Sequence, residues 1–168
     1  MRYRLDVVGT SVADVVQNAG GWLFDRAVAG WDVTVMVPRA EDTRPLQILG
    51  AEMLDLESVL AGGGRGRRPQ ALAVAADICE LDSRARSGLL KALGHGGIEV
   101  VVWGEGWPLG SDHGVDPVLH RLSLAAQAFK AHALAAGAVP MSAVGSTELF
   151  RSGVLDHPPV GADLSPVG

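Results

Sequence analysis

The stretch "DVVGTSVADVVQNAGGWLFDRAVAGWDVTVMVP" (Asp6–Pro38) sets two valine-rich runs on either side of one helical stripe. The first run belongs to "RYRLDVVG", whose apolar and β-branched residues suit a strand. Val12, Val15, Val16, Ala19, Leu23 and Ala27 then recur at helical spacing and predict a helix from Val12 to Ala29. Thr10 or Ser11 is placed to cap it, and Gly30 stands where a C-terminal stop belongs. "WDVTVMVP" follows as a second strand, ended by Pro38. Strand, helix, strand at this spacing is a βαβ unit, and parallel strands need such a crossover.

The same alternation continues along the chain. "LQILGAE" predicts a third short strand, "LDLESVLA" a helical turn or two, and "GGGRGRRP" a break. "QALAVAADI" predicts a strand buried on both faces, "DSRARSGLLKALG" an amphipathic helix, and "IEVVVWG" another buried strand. Asp116–Pro117 opens a long helix whose stripe is Leu119, Leu122, Ala126, Phe129 and Ala133. From Pro140 onward, Pro, Gly and Ser without periodicity predict a loosely ordered tail. The expected architecture is a three-layer α/β sandwich with about five mainly parallel strands, Rossmann-like or RecA-like. It places one domain over 1–139 and the tail over 140–168.

Bulk composition is that of a folded chain: 168 residues, 48% hydrophobic and 20% charged, with a net charge of −5. That balance argues against binding nucleic acid over a large surface. No apolar run approaches the roughly 18 residues of a membrane span, and no signal-peptide core opens the chain, so a cytoplasmic protein is expected. The single cysteine, Cys79, excludes an internal disulfide and a cysteine-based zinc site. Beside the apolar "ALAVAADIC" it suits a small buried hydrophobe.

In open α/β sheets ligands bind beyond the carboxyl ends of the strands. The turn Gly9-Thr10-Ser11 through Asp14 is therefore the first candidate site. A dinucleotide fingerprint would need glycines where Ser11 and Asp14 stand, and a P-loop lacks its second glycine, its lysine and its hydroxyl. Asp14 favours the helix dipole but would repel a phosphate. Substituting it by Asn is expected to remove only the charge–dipole interaction, about 0.3–1 kcal/mol.

"AGWDVTVMVP" resembles the second strand of Rossmann flavin and nicotinamide enzymes, without their ribose-binding carboxylate. "LQILGAEMLDLE", "ALAVAADICELD" and "GIEVVVWG" in succession resemble the core of RecA-like P-loop ATPases over roughly residues 5–104. The resemblance implies that Asp77 matches a metal-supporting aspartate. It also implies a degenerate, non-hydrolysing member, like the SulA-like and ImuA-like relatives of RecA that grip other proteins in DNA-damage responses.

Other groupings carry less chemistry. Asp77, Glu80, Asp82 and Glu105 could converge around Mg²⁺, but polar caps give the same pattern, so no metal and no cofactor are expected. The five histidines lack the His-Glu-x-x-His spacing, and "GSDHG" (110–114) reads as a loop. Arg65, Arg67 and Arg68 could clamp phosphates or an acidic partner. Trp107, in the Gly- and Pro-bounded "WGEGWPLG", and Trp22, off the main stripe, could anchor a partner. No catalytic residue stands out. The expected function is a non-catalytic protein acting through a protein partner, such as an accessory factor of a DNA-damage or regulatory complex. The alternative is a small-molecule or nucleotide-binding enzyme using the strand-end crevice.

Overall fold

The computed structural model describes residues 2–62, 68–105, 116–139, 144–153 and 163–167. β1 (Arg4–Val8) leads through α1 (Val12–Val28) to β2 (Asp32–Val37), then α2 (Arg44–Ile48) and β3 (Glu52–Asp55). After α3 (Leu56–Ala61) come β4 (Ala71–Ala75), α4 (Ala76–Leu81), α5 (Ser83–Gly94) and β5 (Glu99–Trp103). β6 (Asp116–Arg121), α6 (Leu124–Ala136), β7 (Thr147–Ser152) and β8 (Ser165–Pro166) complete the described elements. The strands form one sheet in the order β3-β2-β1-β4-β5-β7-β6-β8.

The parallel half is β3-β2-β1-β4-β5, in register Leu5↔Val33 and Leu5↔Ala71 around β1. One face carries Leu5, Val7, Val35 and Ala73 beneath Val15, Ala19 and Leu23 of α1, with α2 and α6 packed alongside. The opposite face carries Val74, Val100 and Val102 beneath Ile78 of α4 and Leu89 of α5. An α/β fold with helices on both faces of a mostly parallel sheet is therefore present, as the alternation of apolar patterns required. The narrower Rossmann-like or RecA-like assignment needs correction, because β5, β7, β6 and β8 pair antiparallel and make up the rest of the sheet.

Several local expectations also change. Residues 46–48, expected to open the third strand, belong instead to α2, with Pro45 in the first helical turn where its missing N–H costs nothing, and β3 begins only at Glu52. β4 ends at Ala75, and "ADICEL" is helical. Residues 116–121 are β6, paired on both edges, and the helix begins only after its cap Ser123, whose hydroxyl accepts from the Ala126 amide. Of the stripe predicted there, Leu122, Ala126 and Ala133 are buried, whereas Phe129 is 42% exposed and stacks on Phe24. Within the segment after Pro140, residues 147–152 and 165–166 pair into the sheet as β7 and β8.

Buried charge ties this antiparallel half to α1. Lys130 of α6 and Glu148 of β7 pair at 2.8 Å and are both almost fully buried. Glu148 accepts from the amides of Gly21 and Trp22 inside α1, at 2.8 and 2.7 Å. Lys130 donates to the Gln17 carbonyl at 2.7 Å. That carbonyl is the i−4 partner of Gly21, so the ion pair enters the helix ladder at this step. Burial pushes the Glu148 carboxyl up, against the pull of Lys130 and the two amides.

A second network gathers around Arg26. Its guanidinium lies over the rings of Trp22 and Trp31, 4.7 and 4.2 Å from their centroids. It donates to Glu99 at 2.8 Å and to Asp163 at 2.6 and 2.8 Å. Trp22, expected as a possible anchor for a partner, is fully buried and gives its indole N–H to Asp163. Burial raises Glu99, with Arg26 opposing. On Asp163 burial acts in the same direction, but the bonds to Arg26 outweigh it and hold the carboxyl below the usual range.

Candidate functional site

The carboxyl ends of β1, β4 and β5 meet beside the N-termini of α1 and α4, which is where a ligand of this fold class would sit. Gly9 ends β1, and its amide donates to the Met36 carbonyl of β2 at 3.1 Å. A Cβ at Gly9 would run into the Val15 side chain, so this first glycine is kept for close helix–strand approach. Ser11 is the cap of α1, accepting from the Asp14 amide at 3.0 Å.

Asp14 turns back on the loop. One carboxylate oxygen accepts from the amide and hydroxyl of Thr10, at 3.1 and 3.0 Å. The other accepts from the Trp103 indole N–H at 3.1 Å and from the Asn18 amide at 3.0 Å. Glu41, from the loop after β2, accepts from the Val12 amide at 3.1 Å. Three donors that a phosphate would use are thus held by the protein's own oxygens. The turn is a closed structural corner, and its polar groups face one another.

The remaining candidates separate in space. Asp77 lies exposed in the first turn of α4. Glu105 lies exposed just past β5, after Gly104, whose φ of +102° bends the chain out of the strand. Arg68 stands before β4, at the opposite end of the parallel strands. Arg65, Arg67 and Trp107 lie outside the described residues, as does "GSDHG". The part of Glu41 carried no sequence signal. Trp103 was legible as the end of a buried strand, but its bond to Asp14 spans 89 positions and was not.

Among the described residues no three His, Cys, Asp or Glu side chains gather to hold a metal. No helix among them is long and apolar enough to cross a membrane. Burial pushes the Cys79 thiol up to about 11, so it stays protonated at neutral pH and behaves as a hydrophobe.

No known family model matches the chain, and no characterised protein matches it by sequence. Solved structures do match by fold. The A40926 pseudoaglycone deacetylase Dbv21 is 15% identical, with a TM-score of 0.61 over 94% of this chain and 100% of that one. The deacetylase of teicoplanin biosynthesis, in its teicoplanin complex, is 15% identical, with a TM-score of 0.62 over 92% and 100%. GalB, the 4-carboxy-2-hydroxymuconate hydratase of Pseudomonas putida KT2440, is 14% identical, with a TM-score of 0.60 over 97% and 100%. These findings overturn the resemblance to a degenerate RecA-like P-loop protein. They also overturn the expectation of a non-catalytic accessory factor, since the structures matched from end to end are those of enzymes. The chain has the fold of these deacetylases and of this hydratase.

Proposed function

We propose that the chain is an enzyme that adds water to a small organic molecule in the crevice beyond the carboxyl ends of β1, β4 and β5. The observation that carries this reading is the end-to-end likeness of its fold to deacetylases and a hydratase. A deacetylase adds water to an acyl carbonyl and a hydratase adds it to a carbon–carbon double bond. Both need a base that takes a proton from water and a donor for the charge that develops.

Within the described part of the crevice, Asp14 cannot be that base, because four donors already occupy it. Glu105 is exposed on the crevice edge and is the carboxylate we assign to the role. In hydrolysis of an N-acyl substrate, Glu105 would accept a proton as the water oxygen bonds to the carbonyl carbon. The carbon–nitrogen bond then breaks, and the amine leaves with the returned proton.

The test is turnover by the purified chain of two substrates, an N-acetylated amino sugar and a conjugated unsaturated dicarboxylate, with and without added divalent metal. Release of acetate or loss of the conjugated absorbance is expected in one of them. Glu105→Gln should lower kcat by about 10²–10⁴-fold while changing KM little. A folded protein with no turnover of either substrate, or full activity in Glu105→Gln, would overturn the corresponding part of the proposal.

A further inference from the structure

Among the described residues, the helices leave part of the sheet face opposite α1 uncovered. The connection from β3 to β4 has to pass β2 and β1 to reach its place in the sheet. The helix it carries, α3, has only six residues. Such a helix is about 9 Å long, shorter than the strands beneath it. A cavity of about 520 Å³ remains between α3 and α5. Its volume lies within the range of small-molecule sites, roughly 300–1,000 Å³.

The floor of this cavity is apolar, formed by Met36, Leu72 and Val74, with Leu60 and Leu89 on its walls. The rim is basic. Arg84 is held by Glu57 at 2.6 Å and by Asp82 at 3.0 Å. Arg4 pairs with Asp6 at 3.3 Å, yet its buried Nε has no partner. Arg68 and Lys91 also line the cavity, and among the described residues neither makes an ion pair or a side-chain hydrogen bond. His95 stands beside them. In a chain of net charge −5, two cations beside an apolar hollow with no acidic partner among the described residues, Arg68 and Lys91, run against the composition.

We infer that this cavity binds an amphipathic organic anion, with its apolar body against Leu72 and Val74 and its anionic head between Arg68 and Lys91. The site is separate from the strand-end crevice and does not depend on the activity proposed there. The two cations assigned to the head group stand toward the starting ends of the strands, Arg68 just before β4 and Lys91 in the last turn of α5 before β5, whereas Thr10 and Glu105 follow the carboxyl ends of β1 and β5. The apolar body supplies affinity by leaving water, and the cations select the sign of the head group.

Gly88 of α5 lines the cavity, and a Cβ built there meets nothing within 4 Å. Gly88→Phe therefore fills the hollow from a position with room for the new side chain. The probes are octanoate, octyl phosphate, octanol and octylamine, titrated calorimetrically against the full chain. Octanoate or octyl phosphate should bind saturably, the tighter of the two naming the head group, and octanol about ten-fold more weakly. Octylamine should show no binding. Gly88→Phe should weaken the anion by more than about ten-fold with an unchanged or higher melting temperature. If that variant fails to fold, Arg68→Glu, at an exposed position, should weaken the anion and spare octanol. Equal binding of octanoate and octanol, or full affinity in a folded Gly88→Phe, would overturn the inference, as would no binding of either anion.

Discussion

At Asp14 four donors converge on one carboxylate, from Thr10, Asn18 and Trp103. A carboxamide has a single acceptor oxygen, so Asp14→Asn would turn an NH₂ group toward one of these pairs of donors. The expected cost is about 1–3 kcal/mol, that of stranding partly buried donors. This exceeds the roughly 0.3–1 kcal/mol of a charge–dipole interaction alone. Urea unfolding of the two proteins distinguishes the cases. A loss below about 0.5 kcal/mol would mean that the bond network contributes nothing beyond the dipole.

At the scale of one element, α1 contains a glycine pair that looks unfavourable in a helix, where glycine is worse than alanine by about 1 kcal/mol. The structure gives the reason at Gly21. Its amide meets Glu148, and a Cβ there would run into the Leu122 side chain. Gly21→Ala should therefore destabilise the fold by about 1–3 kcal/mol despite the better helix propensity, because it overpacks a buried contact. Gly88→Ala on α5, where the Cβ meets nothing, should instead stabilise by up to about 1 kcal/mol. Melting temperatures of both variants test the contrast. A rise in melting temperature for both variants would mean that propensity, not packing, governs both sites, and a fall for Gly88→Ala would contradict the expected stabilisation at that site.

Across the whole molecule, Asp163 joins the end of the chain to α1 through Arg26 and Trp22. Arg26 holds its carboxyl below the ordinary value of 3.8. A carboxyl depressed by folding stabilises the native state above the unfolded value, and this contribution disappears as the pH falls through the folded value. Asp163→Asn should then cost about 1.5–3 kcal/mol at neutral pH, the worth of hydrogen bonds to a charged group. The difference between the two proteins should shrink below about pH 4. Glu99, which burial raises, titrates in the opposite direction and is present in both proteins. Denaturant midpoints measured from pH 2 to 7 supply the test. A difference that stays constant to pH 2 would show that the Asp163 charge is not what matters.

The sequence by itself determined the α/β class. Valine-rich runs alternate with helical stripes, and periodicity is a local property carried by neighbouring residues. It also narrowed the cap to Thr10 or Ser11, of which the structure uses Ser11, and determined the stop at Gly30, where φ is +98°, and the lack of a P-loop at the first turn. Tertiary structure alone decided that residues 116–121 are a strand, since their partners lie at 147–152 and 165–166. It also decided what Asp14 faces, because Trp103 reaches it from another strand. The pairing of Arg26 with Glu99 and Asp163 spans 73 and 137 positions, and no local pattern encodes such a match. The cavity arises in the same way, because its described lining is drawn from β1, β2, β4, α3 and α5. Backbone pairing, ion pairing and cavities are set by which surfaces meet, and those surfaces exist only once the chain has folded.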